Sequence, residues 1–200
     1  MRIETPWGPW EHIPVGEVAS AMASFERPWW IAGGYAIEAF LGHSIRDHAD
    51  IDIGLLRHDH MAVHEHLAGW ELQCADPPGT LRPWQSGEQL ESGVHDIWAR
   101  RDATDPWRFQ LMLDESAGQE WICRRDSRIH RPLATLTFEV DNVRYLAPEV
   151  QLFYKAKGLR PKDILDFEAA RPLLSVSQTN WLQDALRLVH PTHPWLTLLG

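Results

Sequence analysis

The sequence predicts an α+β fold, in which a mixed β-sheet flanked by helices is followed by a small C-terminal helical cap. Short apolar or alternating runs of strand length recur up to residue 146, and helical patterns that end at glycines lie between them. From residue 147 onward the patterns are helical or broken by proline. A chain of 200 residues holds one domain, with or without a small appendage. We therefore expect a first domain over residues 1–146 and a helical subdomain over residues 147–200.

Apolar spacing predicts the elements of the first domain in chain order. Helices are expected over residues 15–25, 35–41 and 58–68, and Gly42 and Gly69 end the second and third. Residues 81–90 are expected to form a loop anchored by Trp84. Strands are expected over residues 29–32, 50–53, 70–74, 93–100, 106–114, 120–125, 136–140 and 143–146.

Two local signals predict the turn before the cap and the start of its first helix. The Asp141-Asn142 dipeptide between the last two strands predicts a two-residue hairpin turn. Pro148 and Glu149 are typical of the first turn of a helix. Helices of the cap are expected over residues 149–157, 161–174 and 177–188.

The charge balance limits the partners that the chain is expected to have. Its formal net charge is −9, with 28 acidic and 19 basic residues. A large nucleic-acid footprint needs a basic face, so this balance argues against nucleic acid and suits a small acceptor, particularly a cationic one. No run of eighteen apolar residues is present, and the polar, proline-broken first residues do not resemble a signal peptide. We therefore expect no membrane partner. Cys74 and Cys123 lack metal or redox spacing, which predicts reduced thiols in a cytoplasmic protein.

The predicted strand at residues 50–53 alternates acidic and apolar side chains. Asp50 and Asp52 are therefore expected on one face, while Ile51 and Ile53 enter the core. Two carboxylates held side by side repel each other, and a hard divalent cation relieves that repulsion. Mg²⁺ takes oxygen ligands of this kind alongside phosphate oxygens. The pair is thus a candidate metal site.

Gly33 and Gly34 separate the preceding strand from a helix. The first N–H groups of a helix are unpaired and carry partial positive charge, which makes them a site for phosphate. Glycine lets a phosphate approach the backbone closely. This turn and the acid pair together predict a site for a metal-loaded triphosphate.

These residues resemble a known family. Gly33-Gly34, Gly42, Arg46 and Asp50-Ile51-Asp52 resemble the signature of the nucleotidyltransferase superfamily typified by DNA polymerase beta. Within it, residues 30–37 followed by 50–53 are most similar to the aminoglycoside 2″-nucleotidyltransferases and related small-molecule adenylyltransferases. The resemblance implies a nucleotidyltransferase-type sheet and two Mg²⁺ ions. It also implies transfer of a nucleoside monophosphate, AMP by expectation, from a nucleoside triphosphate to a hydroxyl of a small acceptor. Arg46 would contact a phosphate or brace its loop.

The resemblance further implies a third carboxylate on a neighbouring strand, as a metal ligand and proton acceptor. Asp114 closes an apolar run before an acidic, tryptophan-containing segment, as the third aspartate of the aminoglycoside enzymes does. Asp96, in the middle of the preceding strand, is the alternative. We favour Asp114.

The cap carries a second resemblance. Lys155, followed by Arg160, Lys162, Asp163 and Asp166, resembles a pattern found in several toxin-type and drug-modifying nucleotidyltransferases. It implies that Lys155 reaches the nucleotide phosphates across the cleft and that Asp163 orients it. The alternative is a set of ion pairs on exposed helices.

Other readings of the sequence stay open. The protein is alternatively a toxin-like nucleotidyltransferase acting on tRNA or protein, or a non-catalytic nucleotide-binding relative. A metal protein built on the histidines at positions 58, 60, 64 and 66 is a third alternative, because His60 and His64 lie one helical turn apart. The basic cluster of Arg124, Arg125, Arg128 and Arg131 either meets a triphosphate or offsets neighbouring acids. The acceptor, the nucleotide base and the oligomeric state are not specified.

Overall fold

A computed structural model describes residues 2–200 and confirms the α+β class. The helices of the first part are α1 (Val15–Ala21), α2 (Gly33–Leu41) and α3 (His60–His66). Those of the cap are α4 (Pro148–Lys155), α5 (Pro161–Ala170), α6 (Val176–Val189) and α7 (Trp195–Leu198). Short 3₁₀ turns occupy Arg57–Asp59, Leu133–Thr135 and Arg171–Leu173.

The strands of the described residues form one mixed sheet. They are β1 (Trp29–Ile31), β2 (Asp52–Leu56), β3 (Glu71–Cys74), β4 (Arg82–Pro83), β5 (Asp96–Arg100), β6 (Phe109–Ala117), β7 (Glu120–Ile122), β8 (His130–Pro132), β9 (Thr137–Val140) and β10 (Val143–Leu146). Their order is β4-β3-β5-β6-β2-β1-β10-β9, and β7 pairs with β6 and with β8 beside this path. β2 lies centrally, antiparallel to β1 and parallel to β6.

The sheet places the start of α2 beside the acid pair. The Ala32 amide donates to the Asp52 carbonyl over 2.8 Å, immediately before α2 begins at Gly33. Asp52 is the first residue of β2, and its side chain lies beside Gly33 in the first turn of α2. The backbone pairing of β1 with β2 therefore fixes the geometry that the sequence pattern required.

Several boundaries differ from the predicted ones. Gly33 and Gly34 belong to the first turn of α2, whose predicted start was residue 35. β2 begins at Asp52, so Asp50 lies in the preceding loop and not on the strand. β6 runs on to Ala117, which places Asp114 inside a strand and not at its end. β4, β8 and α7 were not predicted, because elements of two to four residues leave almost no periodic signal.

Local turn predictions are confirmed. Gly42 ends α2 in the left-handed conformation at φ 76°. Asp141 and Asn142 have φ of 51° and 62° between β9 and β10, as a type I′ hairpin turn requires. Trp84 is buried, and its indole N–H donates to the Glu88 carbonyl over 2.9 Å.

The cap packs directly onto the first part of the chain. The change from strands to helices falls between Leu146, the end of β10, and Pro148, the start of α4. Val150, Leu152 and Phe153 of α4 are completely buried in the same apolar cluster as the sheet residues. Ser175 begins α6 with a capping box to Gln178. Within the described residues, no helix has the length and apolar content needed to cross a bilayer.

Candidate active site

The predicted site residues converge on one cavity between the central strands of the sheet and helices α4 and α5. Its lining includes Gly33, Gly34, Arg46, Asp50, Asp52, Asp114 and Lys155. These positions span more than 120 residues of chain. The cavity is therefore a product of tertiary packing and not of one local motif.

Both glycines are needed because side chains of the site occupy the space beside them. Gly33 has φ 69°, and a Cβ there would lie 2.5 Å from Asp52 Oδ2. A Cβ on Gly34 would overlap the side chains of Arg46 and His48. Any larger residue would displace the side chain of Asp52 or those of Arg46 and His48.

Gln151 is a site residue that the sequence analysis missed. Its Oε1 accepts a hydrogen bond from the Gly33 amide over 2.8 Å. The Gly33 N–H is thus engaged by the cap, which leaves the amides that follow as the predicted phosphate contacts of this helix start. The available signal was a glutamine within an otherwise apolar turn of α4, where a buried amide needs a partner.

Asp50 and Asp52 stand close enough to perturb each other. Burial, and next the charge of Asp50, raise the pKa of Asp52 from 3.8 to about 7. A carboxylate that is hard to ionise beside another acid is the arrangement that a divalent cation stabilises. The donor set therefore fits Mg²⁺, which is commonly held by one or two carboxylates plus substrate phosphates.

Lys155 forms a buried ion-pair network with two acids of α5. Its Nζ lies 2.6 Å from Asp166 Oδ2 and 3.6 Å from Asp163 Oδ1, and both acid side chains are 0% exposed. The expected orienting acid was Asp163, but Asp166 is the nearer. Burial by itself would raise the pKa of Asp166, yet Arg46 and Lys155 outweigh it and hold that pKa below its usual range. The alternative of exposed helix pairs is wrong for Asp166, whereas Asp163, although buried itself, does form an i, i+3 pair with the exposed Arg160 over 2.7 Å.

Arg46 braces the loop that carries the acid pair. Its Nε and Nη2 donate to the two carboxylate oxygens of Asp166 over 2.8 and 2.9 Å. Glu38 holds the same loop by accepting from the Ile45 and Arg46 amides over 2.8 and 3.2 Å. Of the two expected roles, the structure displays bracing, and this arginine ties the first domain to the cap.

The two candidates for the third carboxylate occupy different places. In the parallel pairing of β2 with β6, Asp114 stands beside Leu56, four residues beyond the level of Asp52. That offset is about 13 Å along the strands, and two short side chains do not bridge it to share one ion. Across residues 2–200, no group of three His, Cys, Asp or Glu side chains is placed to hold a metal.

Measured along the strands, Asp96 lies nearer to the acid pair than Asp114 does. It pairs with Met112, whose partner on β2 is Gly54, only two residues beyond Asp52. The charge of Asp96 also contributes to the raised pKa of Asp52, after burial, Asp50 and Lys155. In this structure neither acid joins the pair, and their assignment stays a prediction.

The histidine-rich segment does not assemble a metal site. His60 Nδ1 bonds to the Arg57 carbonyl over 2.6 Å, and His66 Nε2 to the Ala21 carbonyl over 2.8 Å. His64 Nε2 lies 3.3 Å from the Trp84 carbonyl, and His58 Nδ1 lies 3.1 Å from Ser116 Oγ. The four rings serve different local contacts, which corrects the metal-protein alternative.

The basic cluster divides into two pairs. Arg128 and Arg131 bind acids, Asp126 at 2.6 Å and Glu149 at 2.9 Å. Arg124 and Arg125 instead line the cavity. Part of the cluster therefore offsets acids, and part of it faces the site.

A central mixed sheet, a glycine-started helix and the acid pair Asp50 and Asp52 are the features expected of a nucleotidyltransferase-class enzyme. A family profile described as aminoglycoside-2''-adenylyltransferase matches residues 15–170, so the chain belongs to that family. A comparison with curated proteins finds no match.

Several solved structures share this fold. The solution structure of the antibiotic-resistance factor ANT(2'')-Ia has a TM-score of 0.55 and 19% identity, covering 88% of this chain and 91% of that one. The lincomycin-bound lincosamide adenylyltransferase LnuA has a TM-score of 0.56 and 12% identity, covering 82% of this chain and 100% of that one. The structure of ANT(2'')-Ia in complex with adenylyl-2''-tobramycin has a TM-score of 0.52 and 21% identity, covering 87% of this chain and 95% of that one. At these identities the likeness concerns the fold.

Proposed function

We propose that this enzyme transfers AMP from ATP to a hydroxyl group of a small acceptor and releases pyrophosphate. The observation that carries the proposal is the acid pair Asp50 and Asp52 beside Gly33, in a cavity that Lys155 enters from the cap. Family membership supports the adenylyl donor, and the lincomycin and adenylyl-2''-tobramycin bound in structural neighbours support the acceptor class.

Each cavity residue has a role in this proposal. Asp50 and Asp52 would hold two Mg²⁺ ions together with the triphosphate. Bound Mg²⁺ would supply neutralisation of the charge that develops during transfer. Lys155, already held by Asp166 and Asp163, offers its ammonium group to the phosphates without further reorganisation. The amides after Gly33 and the Lys162 side chain extend the phosphate-binding wall.

The transfer step forms one bond, breaks one bond and releases one proton, so it needs one proton acceptor. The acceptor oxygen forms a bond to the α-phosphorus in line as the bond from that phosphorus to the pyrophosphate oxygen breaks. The hydroxyl proton passes to Asp114, the predicted acceptor, or to Asp96. We further propose that residues 1–146 and 147–200 act as the two walls of one nucleotide cleft, tied by the Arg46–Asp166 and Gly33–Gln151 contacts.

A labelled-ATP assay tests the proposal. The protein is incubated with α-labelled ATP, Mg²⁺ and a panel of hydroxyl compounds that includes tobramycin, lincomycin and simple sugar derivatives. Label transfer is expected in wild type, and Asp50→Asn should lower it by at least about 100-fold. Asp47→Asn is the matched control, because it removes an exposed acid from the same loop. No binding of ATP by wild type, or full activity of Asp50→Asn, would refute the proposal.

The same assay separates the two candidate proton acceptors. The group that takes the proton should, when changed to asparagine, lower the rate by roughly 100-fold or more. Asp96→Asn and Asp114→Asn are compared at saturating ATP, and Mg²⁺–ATP affinity is measured in parallel. A variant that loses metal affinity is a ligand, whereas one that loses only the rate is the proton acceptor.

A further inference from the structure

Gln151 is a buried polar side chain that joins the cap to the glycine turn. It is 6% exposed, and it lines the cavity together with Gly33, Asp52 and Lys155. Its Oε1 accepts a hydrogen bond from the Gly33 amide over 2.8 Å. A carboxamide also carries an NH₂ group with two donors, and a donor left without an acceptor inside a protein is costly. The direction of this NH₂ group therefore decides what the residue binds.

The contact with Gly33 fixes the orientation of the carboxamide. A backbone N–H can only donate, so the side-chain atom that faces it must be the oxygen. Turning the carboxamide over would set two donors against each other and leave both without an acceptor. The Nε2 group of Gln151 is therefore directed away from the Gly33 amide.

The Nε2 group of Gln151 is a free donor on the cavity side. Within residues 2–200 it donates to no other group, whereas Oε1 has its partner. It is also not one of the unpartnered side-chain nitrogens that are sealed from solvent. Because Gln151 is enclosed by protein except where it lines the cavity, a ligand reaches this group from the cavity.

One face of α4 presents two donors to the cavity. Gln151 and Lys155 are four residues apart in this helix, so their side chains project from the same face. The Lys155 ammonium is held by two acids of α5, and the Gln151 carboxamide is held by Gly33. Gly33 in turn lies against Asp52. The Gln151 end of this face therefore stands at the turn where the triphosphate is proposed to bind.

We propose that Gln151 is a substrate-binding residue whose Nε2 donates a hydrogen bond to a phosphate oxygen of the bound triphosphate. The side-chain donor replaces the Gly33 N–H, which the cap occupies. The bond from Gly33 polarises the carboxamide and strengthens its NH₂ group as a donor. An ionised phosphate oxygen is also a stronger acceptor than a neutral oxygen. The inference rests on the proposed function, since it adds a contact to the same substrate.

A nuclear magnetic resonance measurement on the wild-type chain tests this contact directly. The side-chain NH₂ signals of Gln151 are assigned in an isotope-labelled sample with Mg²⁺, and the sample is then saturated with α,β-methylene-ATP, which cannot be cleaved between the α- and β-phosphates. The signal of the donated proton should move downfield, because a hydrogen bond to an ionised oxygen deshields it. Adenosine, which has no phosphate, should leave the signal in place.

Gln183 provides a matched control within the same spectra. It is another buried glutamine of the cap, and its Nε2 donates to the Gly200 carbonyl over 2.8 Å. It does not line the cavity. Its NH₂ signals should therefore stay in place when the analogue binds.

Two variants separate the acceptor of this side chain from its donor. Gln151→Glu keeps an oxygen for the Gly33 amide but has no N–H, and Gln151→Met removes both groups. Calorimetry at pH 8, which favours the ionised glutamate, should show an affinity for α,β-methylene-ATP that is at least about 10-fold weaker in both variants. Gln183→Met should stay within about 2-fold of wild type.

The outcomes distinguish the contact from a purely structural glutamine. A residue that only held the turn would be rescued by Gln151→Glu, and its NH₂ signals would ignore the analogue. Unmoved Gln151 signals in a saturated sample, or wild-type affinity in either Gln151 variant, would overturn the inference and leave the proposed function intact. If Gln151→Met does not fold, the measurement on wild type decides. Failure of wild type to bind the analogue would count against the proposed function itself.

Discussion

The acid pair should destabilise the metal-free protein, and Asp52→Asn should relieve this. Burial and the neighbouring Asp50 raise the pKa of Asp52 from 3.8 to about 7. A shift of about 3 units corresponds to about 4 kcal/mol as an upper bound. Asp52 is only partly buried by its accessible surface, so we discount for solvent screening and expect about 1–2 kcal/mol.

The pH dependence of this effect has a definite sign. The folded state holds the Asp52 proton more tightly than the unfolded state, whose pKa is near 3.8. Wild type therefore loses stability as pH rises from about 4 to about 7, and the loss persists above that range. Asparagine carries no charge at any of these pH values, so the variant escapes the loss.

Urea unfolding in EDTA at pH 4.5 and pH 8 measures the difference. Asp52→Asn should exceed wild type in free energy of unfolding by about 1–2 kcal/mol at pH 8, or roughly 2–8 °C in Tm. The gap should nearly close at pH 4.5, and Asp47→Asn should show no such dependence. Added Mg²⁺ should stabilise wild type and not the variant. A gap independent of pH, or a variant less stable than wild type at pH 8, would refute the electrostatic reasoning.

Three further substitutions test the packing around the cavity. Lys155→Met leaves two buried acids, Asp163 and Asp166, with one cation fewer. It should lower the free energy of unfolding in urea by about 2–3 kcal/mol and abolish nearly all transfer activity. Gly54→Ala places a Cβ against the Trp30 indole and should cost about 1–3 kcal/mol while lowering activity. Arg46→Lys removes the two-pronged contact with Asp166 and should cost about 1–2 kcal/mol, measured in the same way.

Matched variants serve as controls for the first two of these. Lys157→Met changes an exposed lysine two residues from Lys155 and should leave both stability and activity near wild type. Gly93→Ala adds a methyl group where no atom lies within 4 Å, so it should be neutral. Equal effects of the test and control variants would show that burial is not the cause. For Arg46→Lys, wild-type stability would contradict the bracing role.

Much of the candidate site was predictable because its signals are local. The glycine turn, the acid pair and the Asp141-Asn142 hairpin each depend on neighbours within a few residues, so their patterns reveal them directly. The change to a helical cap near residue 147 was visible for the same reason. Even here the boundaries moved, since Asp50 proved to precede the strand and Asp114 to lie inside one.

The contacts that complete the site were decided by tertiary structure. Arg46 and Asp166 are 120 residues apart, and Gly33 and Gln151 are 118 apart, so no local pattern pairs them. The register of β6 against β2 sets Asp114 about 13 Å along the strands from Asp52. A shift of that register by two residues would change the distance between the two acids, while the periodicity of both strands stayed the same. By itself the sequence determined which chemical groups are available and on which faces they stand. Only the packed sheet and cap decided which of them meet, because meeting depends on strand register and on burial shared across the whole chain.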